Sequence, residues 1–310
     1  MHVDIVRIDG HADKLPHRQP GKNIFVNRKK NSNGLLMILA GYKSFMYEDV
    51  FARVKAFTPK NYDVCIISSG LFDETLNELA AENDWSYLST VENNVSLVQN
   101  LAIMLHEQAQ LLFKMDEDIF ITEGVFETLL KTGIYVQEHG HYIIGFVSPL
   151  IPINGYGYVR ILEKLGLIET YEKMFERVLY GTQNYRMIEK SPDVAKFFWG
   201  EGGFVPSIDA MNAAFQTQKI SYSICPVRFS IGLIFFQRNL WKIMDGWQLP
   251  PPNDPGLGVD ELQICRACVD NALAMVVAEN AVVGHLSFNQ QNAAMKNYYL
   301  THREVFRCPK

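Results

Sequence analysis

Three acids in a row, Asp116-Glu117-Asp118, stand between two strand-like runs, Leu111-Leu112-Phe113-Lys114-Met115 and Ile119-Phe120-Ile121. Carboxylates in such a place are costly to desolvate unless a cation or hydrogen bonds neutralise them. In an extended segment positions i and i+2 face the same way, so Asp116 and Asp118 are expected to converge while Glu117 turns away. The pair offers hard oxygens to Mn2+ or Mg2+, with diphosphate oxygens and water completing the shell. A metal held there neutralises a departing nucleoside diphosphate. Asp260-Glu261 is a second acidic pair, suited to the positive end of a helix dipole or to accepting a proton from a hydroxyl. His285 follows Val282-Val283-Gly284, and a lone histidine beside a strand is more often structural than a ligand.

The elements that must position these residues alternate. Apolar runs at Leu35–Ala40, closed by Gly41, and at Asp63–Ile67 read as strands buried on both faces. Trp85–Ser89 and Leu111–Met115 read as two more. Helical spacing covers Glu48–Phe57, Asp73–Glu82 and Val95–His106. Strand-helix alternation with short connections predicts an α/β fold with a mainly parallel sheet flanked by helices. Ligands of such sheets bind beyond the carboxyl ends of the strands. That places Gly41-Tyr42-Lys43, Ser68-Ser69-Gly70 and the three acids at the expected edge.

The second half is less regular. It predicts a strand over Tyr142–Val147, a loop over Ser148–Tyr158, an amphipathic helix over Ile161–Leu179, strand material over Ile224–Phe236 and mostly helix over Leu257–Val277. Val282–Phe288 is expected to close the ordered part. The organisation predicted is an irregular arm over 1–33, one compact domain over 34–290 with halves 34–122 and 123–290, and a tail over 291–310. The glycine- and aromatic-bearing segments Trp199–Gly203 and Pro152–Tyr158 suit either a lid that stacks on sugar rings or packing at the core edge.

At 310 residues and 48% hydrophobic, the chain has ample material for a core. Its net charge of -5 argues against binding nucleic acid through phosphates. The early basic residues Lys14, Arg18, Lys22, Arg28, Lys29 and Lys30 read as a solvated arm. Five cysteines without a regular framework suit reduced thiols in the cytoplasm, and the Cys265/Cys268 pair reads as helix packing rather than half a zinc site. The apolar run Phe229–Phe236 is far short of the ~20 residues of a membrane span. No transmembrane segment or leader is therefore expected, and peripheral contact with the inner face of a membrane stays open.

The stretch Cys65–Thr122 resembles the donor half of family 2 glycosyltransferases, which have the GT-A (Rossmann-like) fold. The matching parts are Ile66-Ile67-Ser68-Ser69-Gly70, Asp73-Glu74-Thr75, Glu92-Asn93-Asn94 through Gln99-Asn100, and Asp116-Glu117-Asp118. Ser68 and Ser69 stand where an acidic residue is common, and Gln99 where the family has Arg. The second half is similar in Gly232, Arg238, Gly246-Trp247, Asp260-Glu261 and Arg266, with Val259 in place of Glu. The resemblance implies a metal-dependent, inverting glycosyltransferase of polysaccharide biosynthesis, moving a sugar from a nucleotide-sugar donor, UDP-hexose first, to a glycan or glycolipid hydroxyl. It implies Asp116, Asp118 and His285 as ligands of Mn2+ or Mg2+, and Asp260, or else Glu261, as the general base. It further implies Gly41, Tyr42, Ser69, Asp73, Asn94, Asn100 and Asp116 on the donor, with Gly232, Arg238 and Trp247 on the acceptor. A sugar-1-phosphate nucleotidyltransferase is a rival, though Gly41-Tyr42-Lys43 is sparse for its glycine-rich loop. A non-catalytic carbohydrate-binding protein that keeps the fold is another.

Overall fold

The structure, a computed structural model, describes residues 4–9, 22–181, 186–251, 254 and 256–309. Along the chain run β1 (Ile5–Asp9), β2 (Asn23–Asn27), β3 (Gly34–Leu39), α1 (Tyr47–Phe57), β4 (Asp63–Ser68), α2 (Glu74–Glu82), β5 (Ser86–Ser89), α3 (Val95–Leu105), β6 (Leu111–Asp116) and β7 (Ile119–Phe120). There follow α4 (Val125–His139), β8 (Ile144–Leu150), α5 (Gly157–Leu165), α6 (Ile168–Met174), α7 (Met187–Lys190), α8 (Pro192–Phe198), α9 (Ile208–Phe215) and β9 (Tyr222–Ile224). Last come β10 (Leu233–Gln237), α10 (Arg238–Ile243), α11 (Val259–Asp270), β11 (Ala274–Val282), β12 (Gly284–His285) and α12 (Asn292–Thr301). The chain forms two compact units: 1–44, 59–117 and 235–267 make the first, and 45–58, 118–234 and 268–310 the second.

In the first unit the strand order is β1-β2-β5-β4-β3-β6-β10. β3 pairs in parallel with both β4 and β6, and β4 with β5, which is the sheet the alternation predicts. Every residue of β4 is buried, as is all of β3 but Leu39, so their unbroken apolar runs have a cause: no face meets water. Leu39 lies opposite both Ile67 and Asp116, so the carboxyl ends of β4, β3 and β6 are level. That register brings the segments after these strands to one edge.

The arm expected over 1–33 is corrected in its described part. β2 is paired between β1 and β5, with Phe25 and Val26 fully buried. Its apolar core is only three residues long, too short for periodicity to register. Arg28 and Lys29 are not solvated either. Arg28 donates to the Trp85 carbonyl at 2.9 Å, and Lys29 Nζ to that of Leu105 at 2.9 Å. Lys14 and Arg18 lie outside the described residues.

In the second unit β8 pairs in parallel with β11, which pairs antiparallel with β9, while β12 and β7 form a separate two-stranded sheet. The helix expected over 161–179 is two helices, because Gly166 takes a left-handed φ of 68° and ends α5. The helix expected to reach Val277 stops at Asp270, and the apolar run after it is the wholly buried β11. Strand β8 also runs three residues past its expected end, through Pro149. The tail expected after 290 is folded: α12 buries Met295 and Tyr299, and Phe306 packs on Trp199, Tyr299 and Phe120 with ring centroids 4.3, 4.9 and 5.3 Å away. Cys65 and Cys308 are free thiols.

Candidate functional site

The edge of the first unit is organised by a residue the alternation pattern discards. Glu117 does not turn out to solvent. Its carboxylate accepts the amides of Gly41 at 2.9 Å and Tyr42 at 3.1 Å, clamping the loop after β3. Gly41 has φ +141°, a conformation side chains rarely adopt. The Tyr42 hydroxyl lies 3.0 Å from both the Ser69 carbonyl and Asn93 Oδ1, which also accepts from Ser69 Oγ at 3.2 Å. Gly70 is required beside it, since a Cβ there would lie 2.5 Å from that of Asn93. The expected donor residues Gly41, Tyr42 and Ser69 are thus brought together. Ser68 is fully buried and bonded to the Tyr87 hydroxyl at 2.7 Å, so it stands behind this edge rather than on it.

Three other expected donor residues have structural duties. Asp73 caps α2 by accepting from the Leu76 amide, and Asn94 caps α3 through that of Leu97. Asn100 donates to the Trp247 carbonyl at 2.8 Å and accepts from Trp241 Nε1 and the Trp247 amide, stapling the turn at Gly246 to α3. The expected acceptor residues have structural duties as well. Arg238 is buried and donates to the carbonyls of Ala109, Ile103 and His106, closing the C-terminal end of α3. Trp247 is a core side chain packed edge-on against Phe236. In the second unit, Gly232 is a close approach, where a Cβ would meet Ile119 Cδ1 at 2.7 Å.

The chemistry-bearing group of the first unit centres on a lysine. Lys114 Nζ donates to Asp116 Oδ1 at 2.7 Å and lies 3.9 Å from Asp260 Oδ2. Gln99 Nε2 donates to the same Asp260 oxygen at 3.1 Å, and Asp260 Oδ1 accepts the Glu261 amide at 2.9 Å. Burial alone would lower the Lys114 pKa, but Asp116 and then Asp260 outweigh it, so its ammonium is held charged. Asp260 is buried at the start of α11, and Glu261 beside it is half-exposed. The sequence hides Lys114 inside an apolar run. Its one signal is that it shares a strand face with Asp116 two residues on.

Asp118 belongs to the second unit. β6 ends at Asp116 and the chain turns at Glu117-Asp118, so strand alternation does not carry the two aspartates onto one face. Among the described residues no group of three or more His, Cys, Asp or Glu side chains is arranged to hold a metal ion. What the second unit does show is a pair: His285 Nε2 lies 3.3 Å from Asp118 Oδ2. β12 sets it up, since His285 pairs with Ile119 and the Leu286 amide donates to the Asp118 carbonyl. His285 Nδ1 lies 2.8 Å from the Ile153 carbonyl, which can only accept, so the proton sits on Nδ1 and Nε2 faces the carboxylate. Two acceptors this close require a positive charge between them, a proton or a metal ion. Two ligands at about 2.1 Å and a right angle lie about 3 Å apart, so the pair fits a small divalent cation. Trp199 is no lid residue. It is buried against Phe120 and Phe306, with its indole N–H on the His285 carbonyl at 3.1 Å.

No protein-family model matches the chain, nor does any curated protein sequence. Solved structures resemble it distantly. GalNAc-T7, solved with UDP, GalNAc and Mn2+, is 12% identical over 87% of this chain and 48% of that one, with a TM-score of 0.49. The mannosyltransferase PcManGT of Pyrobaculum calidifontis, solved with GDP-Man and Mn2+, is 12% identical over 96% and 69%, at 0.48. Residues 1–349 of S. aureus TarS are 14% identical over 88% and 64%, at 0.42. The chain spans about half the length of the first of these, and likeness at this level assigns no activity.

Proposed function

We propose that the chain is a metal-dependent glycosyltransferase that moves a hexose from a nucleoside diphosphate, UDP first, to a glycan or glycolipid hydroxyl with inversion at the anomeric carbon. The observation that carries this reading is the Asp118–His285 pair, whose facing nitrogen and oxygen, 3.3 Å apart, have the spacing of two ligands of one small cation. Asp118 and His285 are the residues that would hold Mn2+. When bound, the metal neutralises charge developing on the leaving diphosphate. Asp116, expected as a third ligand, gives one oxygen to Lys114 and is assigned to the site of the first unit instead. In the first unit, Asp260 is the carboxylate suited to take the proton of an acceptor hydroxyl, whose oxygen would displace the nucleoside diphosphate from the anomeric carbon. A carboxylate fixed by Gln99 and the Glu261 amide suits that task better than half-exposed Glu261.

A thermal-shift screen of nucleotide sugars, with Mn2+ and with chelator, tests the reading, because a ligand that binds only the folded chain raises its melting temperature. At least one nucleotide sugar should stabilise the chain in Mn2+ and lose that effect with chelator. Equal stabilisation in both would refute the metal assignment.

A further inference from the structure

Lys114 is a cation set among apolar residues of β6. Its strand neighbours Phe113 and Met115 and its partner across the ladder, Met37, are all fully buried apolar residues. Lys114 is only 3% exposed, and a charge on so buried a residue is costly to desolvate, whereas a methionine of similar length would fill the same space without that cost. What it gains is a shared position between two acids far apart in the sequence, one ending a strand and one opening a helix. It is bonded to Asp116 and lies within ion-pair reach of the Asp260 oxygen that Gln99 also holds.

We propose that Lys114 is a positioning residue for transfer, an internal cation that fixes the direction of the Asp260 carboxylate and ties it to Asp116. The proposal rests on the glycosyltransferase reading and on Asp260 as its base. Without the ammonium, Asp116 and Asp260 lose their common counter-ion, and the direction of the Asp260 carboxylate is left to the Gln99 side chain and the Glu261 amide. Donor binding does not depend on that direction, so the loss falls on turnover.

The test follows UDP release from the UDP-hexose that gives the highest turnover, in Mn2+, for the unaltered chain, Lys114→Met, Asp260→Asn and the pair combined. Lys114→Met should lower kcat about 10²-fold, within the range of a positioned base, while the donor KM and the calorimetric Kd for UDP with Mn2+ stay within threefold. In the Asp260→Asn background, adding Lys114→Met should change kcat less than threefold, because the residue it orients is already disabled. Should Lys114→Met alone not fold, the combined variant, which removes both charges, is compared directly with Asp260→Asn under the same criterion. A kcat within twofold of normal in Lys114→Met, a raised KM at unchanged kcat, or losses that multiply in the combined variant would each overturn the proposal and leave the transferase reading standing. Absence of both turnover and Mn2+-dependent UDP binding in the unaltered chain would overturn that reading, and this proposal with it.

Discussion

With its Nδ1 proton committed to the Ile153 carbonyl, His285 can offer Asp118 only a lone pair or a second proton. Removing either member should therefore act on metal before it acts on chemistry. Asp118→Ala and His285→Ala should each weaken Mn2+-dependent UDP binding at least tenfold in calorimetry, with UDP binding in chelator unchanged. Unchanged affinity in Mn2+ would take the metal away from this pair. Asp260→Asn should leave that affinity within a few-fold and lower kcat by roughly 10²–10⁴. If it abolished UDP binding and turned over normally at saturation, Asp260 would belong to the donor site. The acids and His285 were legible as residue types, because carboxylate and imidazole near strand ends have few cheaper uses. Their partners were not. Alternation turns Glu117 outward only if the strand continues, and β6 stops one residue earlier. Lys114 is hidden because one cation in an apolar run does not break the strand pattern.

At the scale of elements, α3 carries much of the first unit. Its C-cap residue His106 is 2% exposed, with Nδ1 on the Ala102 carbonyl at 2.9 Å, and among the described residues Nε2 has no partner. Burial pushes its pKa down to about 4, against partial opposition from the Ala102 carbonyl. The unfolded chain then binds more protons than the folded one between about pH 6.5 and 4. Stability present above the ordinary histidine value is thus lost as pH falls through that window. Urea titrations at pH 7.5 and 4.5 should show the unaltered chain losing about 2 kcal/mol more than His106→Leu across this interval. Equal losses would mean that His106 does not titrate in the window. The second unit offers a packing test at Phe306, which is fully buried among Trp199, Tyr299 and Phe120. Phe306→Ala should cost about 3–5 kcal/mol in urea denaturation, and a cost near zero would detach this segment from the fold. The long buried strands and the capped helices of the first unit were readable because period and caps are local signals. The segment after 290 was not, because two adjacent tyrosines and one phenylalanine mark no period, and their burial depends on residues distant in the chain.

For the whole molecule, composition set the class and alternation set the sheet. The division into units was beyond both. Residues 45–58 join the second unit and 235–267 the first, assignments made by long-range contacts that no local pattern encodes. The stereochemical outcome also belongs to this scale. On the proposed reading, one displacement assisted by Asp260 would invert the anomeric carbon, so an α-linked nucleotide sugar should give a β-linked product. Anomeric proton coupling in the NMR spectrum of the isolated product reads this directly, and an α-linkage would refute Asp260 as the base of a single displacement. The central claim, metal-dependent transfer from a nucleotide sugar, is tested most directly by release of nucleoside diphosphate from a panel of nucleotide sugars with Mn2+ and with chelator, for the unaltered chain and Asp118→Ala. The account predicts release from at least one donor in Mn2+, loss with chelator, and loss in Asp118→Ala at equal Mn2+. Release that persists in chelator, or survives in full in Asp118→Ala, would contradict it.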